Sequence, residues 1–189
     1  MFGSGVLLQD GTVLTRAYLL QEGEGSQEGR QLLGVRAIDS PRPWTKADVL
    51  WRDSELRGLA VLAPRGRVDG AAGARWSASP PPGARVRIYG AHDVHTGDGD
   101  FRLEGIWLAG TTMGPTGSDG DWQLDVSVPP GSDSTSPSSI GSGLGGAAVL
   151  DESGRVIGVL SHQLPRTSFY WMTPFDVITA QVPLLGRRR

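Results

Sequence analysis

Three histidines and a run of serines are the groups in this chain best suited to nucleophilic or proton-transfer chemistry. The histidines are His92, His95 and His162, and Ser132, Ser134, Ser136, Ser138, Ser139 and Ser142 crowd one polar stretch. A serine attacks a carbonyl only when a base takes its proton and a third group orients that base. Ser142 with His162 is the pair that would serve a hydrolase, by analogy with convergent serine sites. The plainer reading makes His162 a cleft-lining or surface side chain. His92, Asp93, His95, Asp98 and Asp100 form an acid-and-imidazole cluster of the kind that holds a metal, but their spacing fits no tight ligand motif. A solvated hairpin turn accounts for them better. No metal and no cofactor are expected.

The elements that position such groups read as strands. The chain has 189 residues, 38% of them hydrophobic, enough for one real core or for two small barrels sharing an interface. Its 28 glycines and 13 prolines suit short strands and turns rather than helical bundles. The spacing predicts a first group of strands at Val6–Leu8, Val13–Thr15, Leu32–Ile38, Asp48–Trp51 and Leu59–Ala63, with Arg85–Tyr89 closing or bridging it. A second group follows at Phe101–Ala109, Trp122–Val128, Ala147–Leu150, Val156–Ser161 and Ser168–Met172. Breakers at Pro80-Pro81-Pro82-Gly83, Gly114-Pro115, Pro129-Pro130-Gly131 and Glu152-Ser153-Gly154 separate them. The expectation is a single all-β domain, with a first barrel over 1–79, a second over 84–174 and one helix over 175–185. Gln21 to Gln31 and Ser132 to Ser142 read as polar loops. Most of the six tryptophans are expected in the core or packed on strands, while Trp44, framed by prolines, is expected at the surface as a partner contact.

Composition narrows function. A net charge of -2 argues against nucleic acid as a partner, and the Arg187-Arg188-Arg189 end is too short to change that. Without cysteine there is neither a disulfide framework nor a thiolate metal site. No stretch approaches the roughly 20 apolar residues of a membrane span, and Met1-Phe2-Gly3-Ser4 lacks a leader's charged and apolar regions. Cytoplasmic residence, without a membrane partner, is the expectation.

Four motifs in order carry a family resemblance. Gly143-Leu144-Gly145-Gly146-Ala147-Ala148-Val149, running into Leu150 through Val159, resembles the nucleophile loop of trypsin-like serine proteases, Gly-x-Ser-Gly-(Gly/Ala)-Pro-Val. Gly3-Ser4-Gly5-Val6-Leu7-Leu8 with Gly11-Thr12-Val13-Leu14-Thr15-Arg16-Ala17-Tyr18 resembles the family's first hairpin, which ends on the catalytic base. Gly58-Leu59-Ala60-Val61-Leu62 resembles the strand carrying the orienting aspartate, and Tyr170-Trp171-Met172-Thr173-Pro174 resembles the last strand. The cysteine-free chain is closest in kind to the HtrA-like bacterial branch. The resemblance implies a chymotrypsin-type fold: two packed antiparallel β-barrels and a short C-terminal helix.

It also implies that the base, acid and nucleophile positions hold Tyr18, Gly58 and Gly145. A register shifted by one would put the nucleophile slot on Leu144, but Gly145 aligns Ala147-Ala148-Val149 without an insertion. Neither residue is a serine. In a Ser-His-Asp site the imidazole takes the serine proton and the carboxylate fixes the imidazole tautomer. A tyrosine, with an ordinary pKa of about 10, is protonated near neutrality and is a poor base. Glycine supplies neither carboxylate nor nucleophile. What persists is main chain: the family's oxyanion-hole amides fall on Gly143 and Gly145, able to cradle a carboxylate, or else merely keeping a tight turn. Ser161, His162 and Gln163 continue a strand edge that could pair with an extended peptide. The expected function is therefore a non-catalytic trypsin-like domain that recognises a protein or peptide. By resemblance, its setting is a bacterial conflict or signalling system with a fused or neighbouring NTPase or other effector. The alternative is a hydrolase that relocates its nucleophile to Ser142 with His162.

Overall fold

Alternation of charged and apolar side chains at Arg85-Val86-Arg87-Ile88 becomes alternation of exposed and buried ones on a long strand, β6 (Arg85–His95). The computed structural model describes residues 3–20, 33–53, 58–95, 101–116, 120–127, 143–163 and 167–186. The expected loops 21–31 and 132–142, the breaker Pro129-Pro130-Gly131 and the terminal arginines lie outside them. β6 pairs antiparallel with β7 (Phe101–Pro115) in unbroken register from Arg85↔Thr111 to His95↔Phe101. With β8 (Trp122–Ser127), β9 (Ala148–Leu150), β10 (Val156–Gln163) and β11 (Phe169–Pro174) they close a barrel in the order β10-β11-β8-β7-β6-β9.

The first half is an antiparallel half-barrel. β1 (Gly5–Leu7), β2 (Val13–Arg16), β3 (Gly34–Val35), β4 (Thr45–Arg52) and β5 (Leu59–Pro64) form one sheet in the order β1-β2-β5-β4-β3. A short 3-10 turn, Ala17–Leu20, follows β2. β5 shows how the halves join, because its buried residues face two cores. Ala60 and Leu62 pack with Val13, Ala17, Leu20 and Ala47 inside the half-barrel. Leu59 and Val61 pack on the other side with Val156, Val159, Ile178 and Val182, so the two halves share a core. The intervening chain also touches both, through bridges Leu8↔Ala74 and Trp76↔Val156. A further tie comes from Asp39, held at φ 61, whose carboxylate accepts from the Gly105 N–H (3.0 Å) and the Tyr89 hydroxyl (3.2 Å).

Two expectations need correction. The helix over 175–185 is two pieces, α1 (Phe175–Gln181) and α2 (Pro183–Gly186). Pro183 has no N–H to continue the helix and drives the residue before it out of helical geometry; Val182 accordingly sits at φ -98, ψ 100. Second, His92, Asp93 and His95 belong to β6 rather than to a turn, because cross-strand pairing runs on to His95. Trp107, on the outward side of β7, is 51% exposed and packs on the neighbouring strand by stacking on Tyr89 at 4.4 Å. Trp51, Trp76 and Trp122 do pack against the cores, and Trp44 is 47% exposed beneath the Arg36 guanidinium.

Candidate functional site

The seam between the halves is built on Ser4. Its N–H donates to the Gly145 carbonyl (3.0 Å) and its hydroxyl donates to the Gly143 carbonyl (2.7 Å) while accepting from the Ala91 N–H (2.8 Å). Its own carbonyl accepts from the Thr15 hydroxyl at 2.6 Å. One buried serine thus fixes the loop before β9 to the first hairpin and to β6. The loop closes on itself through Ala147 N–H to Leu144 carbonyl (2.8 Å), and on β10 through Gly146 N–H to Leu160 carbonyl (2.9 Å).

Glycines in this loop are required for different reasons. Gly146 has φ 84, where a side chain is strained, and any Cβ there would collide with the Ser4 carbonyl. Gly145 has no positive φ. What excludes a side chain at Gly145 is Tyr18: a Cβ would overlap the tyrosine hydroxyl and lie 2.8 Å from ring Cζ. The phenol therefore stands where a residue at 145 would begin to project. Burial raises the Tyr18 pKa, with the nearby Arg16 guanidinium pulling the other way, so the hydroxyl keeps its proton. It has no hydrogen-bond partner among the described residues.

Gly58 is also filled from elsewhere. Its carbonyl accepts from the Ala17 N–H at 2.8 Å, which sets it beside the 3-10 turn that carries Tyr18. A Cβ at Gly58 would overlap Asp53, lying 2.6 Å from its Cγ and 2.8 Å from Oδ2. A carboxylate thus does reach this position, supplied by the end of β4. Arg16, 3% exposed, reaches across the seam and donates from Nη1 to the Thr173 hydroxyl at 3.0 Å. The structure therefore gathers Tyr18, Gly58 and Gly145 at one seam, with Ser4, Arg16 and Asp53 beside them. None of these last three was singled out in the sequence; Ser4 and Arg16 were present only as members of the first-hairpin motif, and Asp53 left no trace.

Ser161, His162 and Gln163 end β10, just beyond Leu160, whose N–H donates to the Ala147 carbonyl at 2.9 Å. β10 pairs with β11 as far as Gln163, but with β9 only as far as Val159. Its other edge from Ser161 onward has no strand partner among the described residues. Ser161 Oγ donates to Asp121 Oδ2 (3.0 Å) and lies 3.1 Å from His162 Nδ1. With its single proton committed to Asp121, the hydroxyl accepts from Nδ1–H, the reverse of a base removing a serine proton. The His162 ring stacks on Trp171 at 4.7 Å and 2°, and Trp171 Nε1 donates to the Thr116 hydroxyl at 3.0 Å. These side chains are spent on one another. Ser142, the alternative nucleophile, lies outside the described residues, as do Ser139, Asp98 and Asp100. His92 is half-buried on β6, its Nδ1 without a partner among the described residues.

Comparisons with known proteins agree with this fold. The family model for trypsin-like peptidase domains matches residues 3–159. No curated protein matches the sequence. Among solved structures, the Rv3671c protease of M. tuberculosis, as an inactive serine-to-alanine mutant, is similar with TM-score 0.65 and 18% identity, over 99% of this chain and 82% of that one. Its active form gives TM-score 0.62 and 16% identity over 99% and 74%. A serine endoprotease from Yersinia pestis gives TM-score 0.67 and 18% identity over 98% of this chain and 58% of that one. At such identities the likeness speaks for the fold, and this chain spans little over half the length of the Yersinia pestis chain. Among the described residues, no helix is long and apolar enough to cross a membrane.

Proposed function

Because the chain belongs to the family of trypsin-like peptidase domains, we propose that it keeps the family's cleft as a recognition surface and has given up its chemistry. The observation that carries this reading is the Tyr18 hydroxyl packed over Gly145. An acyl-transfer site needs an oxygen nucleophile and a base to take its proton. Here the nucleophile's place is a bare α-carbon, and the group above it is a phenol whose proton is held more firmly than usual. The Asp53 carboxylate has no imidazole to orient at position 18. The open edge of β10 at Ser161–Gln163, ending beside the Gly143–Gly146 loop, suits an extended peptide added as a strand. The partner is another protein or a peptide segment, such as a fused or neighbouring effector or NTPase of a bacterial signalling system, met in the cytoplasm. Incubation with a mixed peptide library, followed by mass spectrometry, tests the reading. Retention of a subset of peptides at their original mass is the expected outcome; new termini accumulating with time would contradict it.

A further inference from the structure

The outward side of β7 carries no charge along its central stretch. Trp107, Ala109, Thr111 and Met113 alternate with residues that face the barrel interior, and Trp107 and Met113 are 51% and 52% exposed. Charged side chains flank this stripe in matched rows. Thr111 pairs with Arg85 of β6 on one side and with Asp125 of β8 on the other, and Ala109 pairs likewise with Arg87 and Ser127. Arg85 and Asp125 thus stand about 10 Å apart, two strand spacings. Neither makes an ion pair or a side-chain hydrogen bond among the described residues. Between them lies a groove of about 530 Å³, floored by the short side chains of Ala109 and Thr111. Trp107 leans off the β7 line to stack on Tyr89, whose hydroxyl donates to Asp39, so the exposed indole is held in place. The Arg87 guanidinium lies 5.8 Å from the same ring.

We propose that this face binds the same face of a second copy of the chain, with the two-fold axis running along β7, so that Arg85 of each copy pairs with Asp125 of the other. The proposal does not depend on the recognition reading, because none of these residues belongs to the seam. Exposed tryptophan and methionine with arginine at the margin is the composition of an interface centre rather than of idle surface. The rows then select the occupant. A half-turn about β7 exchanges the β6 side with the β8 side and leaves each row in place. Arg85 therefore lies over Asp125, Arg87 over Ser127 and the uncharged stripe over itself, which makes the patch self-complementary. A half-turn about an axis across the strands at Gly110 would instead set Arg85 over Arg87, and the like charges oppose it. The short floor residues leave room for the second copy's arginine stems, which cover apolar surface while their heads reach the carboxylates. Three strands by seven residues give a patch of about 14 by 20 Å. That is small for a specific interface, so the dimer is weak and concentration-dependent.

Sedimentation velocity of the full chain across a wide range of concentration tests this, with far-UV circular dichroism confirming that each variant is folded. A monomer–dimer equilibrium that weakens with added salt is expected. Arg85→Asp and Asp125→Arg each set like charges against one another across the axis, and each should weaken the dimer by at least about ten-fold. Combining the two substitutions in one chain should restore it close to the parent's strength. An equimolar mixture of the two single variants should likewise form a mixed dimer, since each then supplies the charge the other lacks. Monomer at every concentration would overturn the proposal. A dimer indifferent to both single substitutions would place its interface elsewhere and overturn it too. Weakening without recovery, in the combined variant or in the mixture, would overturn the two-fold along β7.

Discussion

Two stretches flank the seam between the halves, and they use their polar groups in opposite ways. At Ser161–His162 the side chains are committed: serine to aspartate, imidazole to serine and to the Trp171 ring. At Gly143–Gly145, with Tyr18 above, two amides and a hydroxyl have no partner among the described residues. Buried polar groups are normally satisfied. The unspent donors at this seam, where Gly145 is buried and Tyr18 half-buried, are therefore its least satisfied polar groups, whereas Ser161 and His162 serve as scaffold and lend only their main chain.

Disrupting the framework should produce the largest effect. Ser4→Ala removes the hydroxyl shared by the Gly143 carbonyl and the Ala91 N–H, and leaving such buried groups unpaired costs about 1–3 kcal/mol each. Urea unfolding should show this loss together with altered amide shifts at Gly143 and Gly145. Next comes Gly145→Ser, where overpacking against Tyr18 is expected to cost about 1–3 kcal/mol. Adding Tyr18→Ala should recover most of it; strictly additive effects would mean that the two residues are not in contact. Ser161→Ala is expected to cost about 1 kcal/mol of stability while changing peptide affinity less than two-fold in a titration. A ten-fold loss of affinity would make Ser161 a ligand contact and erase the contrast between the two stretches.

The smallest effect concerns a third unspent group, one shut away from the cleft. Tyr170 is 1% exposed in the barrel core, and its hydroxyl has no partner among the described residues. Burial pushes its pKa up to about 12. An unfolded tyrosine ionises near about 10, so burial of the neutral phenol leaves the fold unpenalised below pH 10 and stability falls as pH climbs toward 12. Tyr170→Phe should be neutral or slightly stabilising at pH 7 and should unfold at higher pH than the parent. Thermal melts between pH 9 and about 12 would check both signs, and a marked loss at pH 7 would mean that the hydroxyl is bonded after all.

Local pattern announced the strands well, since alternation at Arg85-Val86-Arg87-Ile88 and the apolar run Leu59–Leu62 reflect one-sided and two-sided burial. Ends were less legible. β6 runs on to His95 because pairing with β7 outweighs a polar composition, and the terminal helix breaks at Pro183, a stop that sequence alone should have yielded. At positions 18, 58 and 145, the absence of histidine, aspartate and serine could be read residue by residue. That Tyr18 fills the space above Gly145 and Asp53 the space beside Gly58 could not, because both contacts depend on how distant strands pack. Ser4 was hidden for the same reason: its bonds reach from the first strand to residues 91, 143 and 145.

Whether the seam reacts or only binds is decided most directly by intact-mass analysis after treatment with a fluorophosphonate probe. The account predicts no mass increase, with serines unlabelled while Tyr18 occludes position 145. Stoichiometric labelling of a single serine, abolished by Ser142→Ala, would contradict it and return the chain to the working proteases of its family.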